Sequence, residues 1–134
     1  MSENDPTANR DLTRRDFVIA AGTVVAASAA GNQVPYGAIG TGAQGTYLLH
    51  HMAGLQNCRC VAVCDTDEAN LKKGTTAAGT NPQAYQDYRE LLGRKDIDAV
   101  VIATPLSTHF PMVRDALAAG KHVFCEPPLV FKAE

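Results

Sequence analysis

Tyr36-Gly37-Ala38-Ile39-Gly40-Thr41-Gly42-Ala43-Gln44-Gly45 is the stretch on which the reading of this chain turns. A short buried strand runs directly into GxGxxG, and the three glycines have separate duties. Gly40 permits a tight turn, Gly42 lets the backbone approach a pyrophosphate with no side chain between them, and Gly45 lets the following helix pack close to the strand. Phosphates would then sit on the free amides at the helix N-terminus, around Gly42, Ala43 and Gln44, where the dipole favours negative charge.

Downstream, Leu48, Met52 and Leu55 fall at helical spacing on one face, with Tyr47, His50 and His51 turned away. This is the helix the motif requires. His50 and His51 are sequence neighbours that project in different directions, so they read as solvated side chains rather than a metal pair. A lone GxGxxG is weak evidence, and the second strand decides. Residues 59–64 form an apolar run ending at Asp65, twenty residues beyond Gly45, where the fingerprint places the acid that bonds the ribose hydroxyls of NAD. A carboxylate there repels the extra phosphate of NADP, and Thr66, Asp67 and Glu68 offer no arginine to neutralise it. NAD is therefore expected over NADP. The alternative duty for Asp65 is to cap a helix at 68–73, a role that Asp67 could fill instead.

Residues 72–83 read as a turn-rich connection, Ala84-Tyr85 as a short third strand and 87–92 as a brief helix. Ala99-Val100-Val101-Ile102-Ala103 is a continuous apolar run of the kind buried on both faces of a parallel sheet, and Thr104-Pro105 ends it. Thr108 is placed to cap a helix carrying Val113, Ala116 and Leu117 on one side, Gly120 to stop it, and 122–125 to form the next strand. Alternating strands and helices with short loops predict an α/β fold, a doubly wound parallel sheet of the Rossmann type over 35–134. The nucleotide would lie at the carboxyl ends of the strands, beside Gly42, Asp65, Thr104 and Glu126.

With 134 residues the chain holds one domain at most, and a net charge of -2 provides no basic footprint for nucleic acid. Cys58, Cys60 and Cys64 share the parity of one strand face with Ala62, which predicts buried strand thiols. Neither a zinc site nor a disulfide fits that spacing, because Cys125 cannot supply a second ligand pair and thiols on one face do not point at each other. Upstream, Thr13-Arg14-Arg15-Asp16-Phe17-Val18 opens an alanine-rich apolar run that is short for a membrane span. The paired arginines resemble a twin-arginine export signal over 1–31, with cleavage after Ala29 or Ala30; an uncleaved anchor is the alternative. The resemblance implies recognition by the twin-arginine translocase, membrane contact during export, a periplasmic destination, and a nucleotide acquired before export.

Taken together, Tyr85-Gln86-Asp87-Tyr88-Arg89-Glu90-Leu91-Leu92, Ile97-Asp98-Ala99-Val100, Ala103-Thr104-Pro105 with His109, and Ala119-Gly120-Lys121-His122-Val123 with Glu126 resemble the successive signatures of the Gfo/Idh/MocA family. The resemblance covers about residues 35 to 134. It implies a Rossmann domain that binds NAD or NADP, contacts to the nucleotide from Thr104, Pro105, His109 and Glu126, and a following α/β domain that carries the substrate site and the homo-oligomer contacts. His109 fits equally a capping or surface histidine at a helix start.

The family's Glu-Lys-Pro is here Glu126-Pro127-Pro128, so the lysine that reaches toward nicotinamide and substrate is replaced by a residue with no charge and no proton to give. Lys132 lies too far along to stand in. The expected substrate domain does not begin before Glu134, and no catalytic base can be named. Three functions follow from the resemblance: an oxidoreductase acting on a sugar or polyol, a front half that serves NAD-dependent glycoside cleavage through transient oxidation, or a non-catalytic nucleotide-binding module.

Overall fold

The computed structural model describes residues 33–129. The twin-arginine segment at 1–31 and residues 130–134 lie outside the described residues. Five strands, β1 (Val34–Ile39), β2 (Cys58–Cys64), β3 (Gln83–Tyr85), β4 (Ala99–Ile102) and β5 (His122–Cys125), alternate with four helices, α1 (Ala43–Met52), α2 (Glu68–Ala78), α3 (Tyr88–Leu92) and α4 (Leu106–Ala118). The strands form a single sheet in the order β3-β2-β1-β4-β5, every pair parallel. The doubly wound expectation therefore holds. The chain moves outward from β1 to β3, then returns to the other side of β1 to lay down β4, which puts the crevice of the fold between β1 and β4.

Both faces of the sheet are covered. On one, Val34, Tyr36, Ala38, Ala99 and Val101 pack with Leu49 of α1 and Ala78 of α2. On the other, Ile39, Val100 and Ile102 pack with Leu91 and Leu92 of α3 and Val113 and Ala116 of α4. All four residues of β4 are buried, as expected of a central parallel strand. Each large apolar side chain fully removed from water contributes about 1.5–3 kcal/mol, and this set is the main source of stability. Among the described residues no helix is long and apolar enough to cross a membrane.

The cysteine row is corrected by a bulge. Tyr36 pairs with Cys60 but Gly37 pairs with Ala62, so Val61 is an extra residue in β2 and the facing of the strand reverses there. Cys58 and Cys60 join the face covered by α1 and α2, while Ala62 and Cys64 join the opposite one. The carbonyls loosened by the bulge find side-chain donors: the Thr80 hydroxyl donates to the Cys60 carbonyl at 2.6 Å and the Arg94 guanidinium to that of Val61 at 3.0 Å.

Three further expectations change. Residues 72–78 are helix rather than turn, because Gly74 is a close-approach residue inside α2 and Gly79, at φ +67, supplies the stop. Thr108 lies within the first turn of α4, whose N-cap is Pro105, and its hydroxyl donates back to the Pro105 carbonyl at 2.7 Å. Leu117 is exposed, so α4 buries His109, Val113 and Ala116 instead. In α1 the fully buried residues are Gly45 and Leu49, with Leu48, Met52 and Leu55 partly covered beside them. His50 and His51 face solvent as expected.

A candidate nucleotide cleft

A cleft of about 450 Å³ opens at the carboxyl ends of β1, β2 and β4. Gly40, Gly42, Asp65, Thr104 and Pro105 line it, as the sequence predicts, together with Thr66, Asp67, Asn70, Gln86, Tyr88, Thr108 and Met112. Its floor is the glycine turn. Gly40 sits at φ +89 and its amide donates to the Cys64 carbonyl at 2.8 Å, anchoring the turn to β2. A Cβ at Gly42 would meet nothing closer than Asn70 Nδ2 at 4.0 Å, so this backbone presents itself bare to the cleft.

The start of α1 differs from the starts of α2 and α3. Asp67 caps α2 by accepting from the Asn70 amide at 2.9 Å, and Asp87 caps α3 by accepting from the Arg89 amide at 2.9 Å. Gly42 supplies no side chain to cap α1. The first-turn amides of α1, including those of Ala43 and Gln44, therefore have neither an intrahelical partner nor a side-chain cap, and they carry the positive end of the helix dipole. That is the donor set a pyrophosphate needs, and an open backbone at Gly42 is the space it needs. The residues present fit a dinucleotide.

Asp65 follows β2 and stands across from this turn. Its Oδ2 accepts from the Thr41 amide at 2.8 Å and from the Thr41 hydroxyl at 3.3 Å, and its Oδ1 accepts from the Asp67 amide at 2.8 Å. The capping duty weighed for Asp65 belongs to Asp67. Thr41, fully buried, was absent from the sequence-derived set because its position in GxGxxG accepts many residue types. Asn70 and Tyr88 were likewise not foreseen, being brought in by the packing of α2 and α3.

Glu126, after the end of β5, is not among the residues lining the cleft; it accepts from the Gln44 side chain of α1 at 3.3 Å. His109 does not reach the cleft surface. It is 1% exposed, with Nε2 at 2.7 Å from the Thr104 carbonyl and Nδ1 at 3.1 Å from the Pro128 carbonyl, so its ring ties the β4–α4 loop to the turn after β5. Among the described residues no lysine or histidine lines the cleft. Cys64, at its edge, is no nucleophile: burial, with the nearby charge of Asp65, pushes its thiol up to about 12. The Tyr88 hydroxyl donates to Asp115 at 2.7 Å, and that bond raises it above the usual tyrosine range. The site can hold and orient a ligand, and the carboxylates among its described lining residues, Asp65 and Asp67, both accept from backbone amides. Among the described residues no cluster of metal-ligating side chains occurs.

A model of an oxidoreductase family with an NAD-binding Rossmann fold, GFO_IDH_MocA, matches residues 34–134. The chain is 41% identical over 106 residues to glycosyl hydrolase family 109 protein 2 of Shewanella sp. strain ANA-3, covering 73% of this chain and 23% of that protein. It is 36% identical over 109 residues to an alpha-N-acetylgalactosaminidase of Shewanella oneidensis, covering 75% and 24%. Among solved structures, the myo-inositol dehydrogenase of Lactobacillus casei, in complex with NAD(H) and myo-inositol, superposes with a TM-score of 0.69 at 34% identity, covering 72% of this chain and 29% of that one. The chain thus spans less than a third of the length of these relatives.

Proposed function

The chain belongs to the Gfo/Idh/MocA oxidoreductase family, and on that premise we propose that its Rossmann domain holds NAD for an enzyme acting on a CH–OH carbon of a sugar or polyol. The observation that carries this reading is the uncapped start of α1 at a bare Gly42, faced by the Asp65 carboxylate. The first-turn amides would take the pyrophosphate and Asp65 the ribose hydroxyls, while Thr104 and Pro105 border the cleft at the end of β4. Bound NAD supplies a hydride acceptor; this part of the chain positions it and keeps water from it. Asp65 and Asp67 at the cleft, with no cation among the described residues that line it, support NAD over NADP.

A second reading is glycoside cleavage through transient oxidation. It is favoured by the resemblance to glycosyl hydrolase family 109 proteins. The test offers the purified protein an aryl α-N-acetylgalactosaminide and, separately, myo-inositol, while following phenol release and NADH absorbance. Accumulating NADH with the polyol supports a dehydrogenase. Aryl release without net NADH supports the glycosidase. A protein that binds no NAD by calorimetry overturns both. Export is proposed from Arg14 and Arg15; replacing both with lysine should leave the protein in the cytoplasm, and undiminished export would refute the assignment.

A further inference from the structure

Gly74 lies in the middle of α2, where glycine weakens a helix by about 1 kcal/mol relative to alanine. Its reason is steric. A Cβ there would lie 2.5 Å from Thr41 Cγ2 and 2.6 Å from Thr41 Cβ. The bare backbone of α2 is therefore the seat on which the first variable residue of the glycine turn rests, and Thr41 is fully buried in it. From that seat Thr41 directs two donors at one carboxylate oxygen, its amide and its hydroxyl both reaching Asp65 Oδ2. A third link fixes its own backbone, since the Thr46 hydroxyl donates to the Thr41 carbonyl at 2.8 Å.

We infer that Thr41, seated on Gly74, is a positioning residue for cofactor choice: it fixes the plane of the Asp65 carboxylate so that the ribose diol is accepted and a 2′-phosphate is refused. The inference rests on the reading that Asp65 meets the ribose. An ionised carboxylate has about four acceptor positions. Thr41 occupies two on Oδ2 and the Asp67 amide one on Oδ1, so the one position left, on Oδ1, is held toward the diol in one orientation rather than swept through many. A carboxylate free to rotate would lose part of its bonding to the diol and could swing its charge away from an added phosphate. Discrimination would fall from both sides.

The experiment measures dissociation constants of the purified protein for NAD and NADP by calorimetry. Thr41→Val keeps the shape and the amide but removes the hydroxyl; the ratio of the NADP constant to the NAD constant should fall about tenfold, the scale of one hydrogen bond to a charged group. Thr41→Ser keeps the hydroxyl and should stay within about twofold of the parent. Gly74→Ala should lower the ratio in the same direction as Thr41→Val, and if it fails to fold the two Thr41 variants still decide. Equal weakening of both nucleotides in Thr41→Val, an unchanged ratio, or a fall in Thr41→Ser as large as in Thr41→Val overturns the inference. Asp65→Asn separates it from its premise. If that variant leaves the ratio unchanged, the ribose reading itself fails; if it lowers the ratio while Thr41→Val does not, the ribose reading stands and the role of Thr41 falls.

Discussion

A Cβ at Gly45 would lie 1.8 Å from the carbonyl oxygen of Gly40, nearer than two such atoms can approach. The first and last glycines of the motif are thus in direct backbone contact, and α1 is held against the end of β1 by the absence of a side chain. Gly45→Ala should destabilise the fold by about 3 kcal/mol or more, since neither partner is a side chain that can move aside. Urea denaturation checks this; a midpoint unchanged from the parent would contradict the packing.

Gly42→Ala should behave in the opposite way. Its φ of -66 suits any residue and the added methyl meets open space. The fold should lose less than about 1 kcal/mol, while NAD affinity drops on the order of a hundredfold because the methyl stands where the pyrophosphate approaches. Parallel melting and calorimetry would show the separation, and retained affinity would remove the phosphate from Gly42.

Lys121 is 9% exposed, and its ammonium donates to the carbonyls of Arg94 at 2.6 Å and Ile97 at 2.8 Å. These groups lie at the amino ends of β4 and β5, opposite the cleft. Lys121→Met should cost about 2–3 kcal/mol through one buried and one part-buried carbonyl left without their donor and leave the NAD dissociation constant unchanged. A variant that unfolds like the parent but binds NAD poorly would invert this assignment.

Alkaline pH should weaken the fold in a defined window. Burial pushes the Cys60 and Cys64 thiols up to about 12 from an ordinary value of 9.0. Above about 9 the unfolded chain releases these protons while the folded chain retains them, so the folded state binds more protons and its stability falls as pH rises toward about 12. Below about 9 the pair contributes no pH dependence. Replacing both residues with alanine should flatten the slope of unfolding free energy between pH 9 and 11, whatever it does to the absolute stability; an unaltered slope would remove the thiols as its cause.

The sheet and the position of the cleft were legible in the sequence because each rests on a local rule. The apolar run Ala99-Val100-Val101-Ile102 became a fully buried strand, and Gly40, Gly42 and Asp65 came together across twenty-five residues as the dinucleotide spacing requires. What could not be read depends on contacts between distant segments. Gly74 looked like a turn residue because nothing local reveals that Thr41 lies against it. His109 was weighed between the nucleotide and the surface, yet it is buried against the Thr104 and Pro128 carbonyls, and the second of these comes from nineteen residues downstream. Period-two parity failed for the cysteines because one unpaired residue inside a strand leaves no mark in composition.

That unpaired residue also divides β2 into two stretches that tolerate change by opposite rules. Before Val61 the inward positions are even-numbered and include Cys58 and Cys60, packed beneath α1 and α2; after it Ala62 and Cys64 point toward α3 and α4. Deleting Val61 would leave every other side chain of the strand in place on paper. With the bulge gone, Cys60 and Ala62 become neighbours on opposite faces, which is the facing they already have, and what is lost is the bond from the Arg94 guanidinium to the Val61 carbonyl. A gap of one at this position therefore spares the packing of residues 58–60, whereas a gap of one elsewhere in the strand would turn side chains to the wrong face and rewrite half of its core.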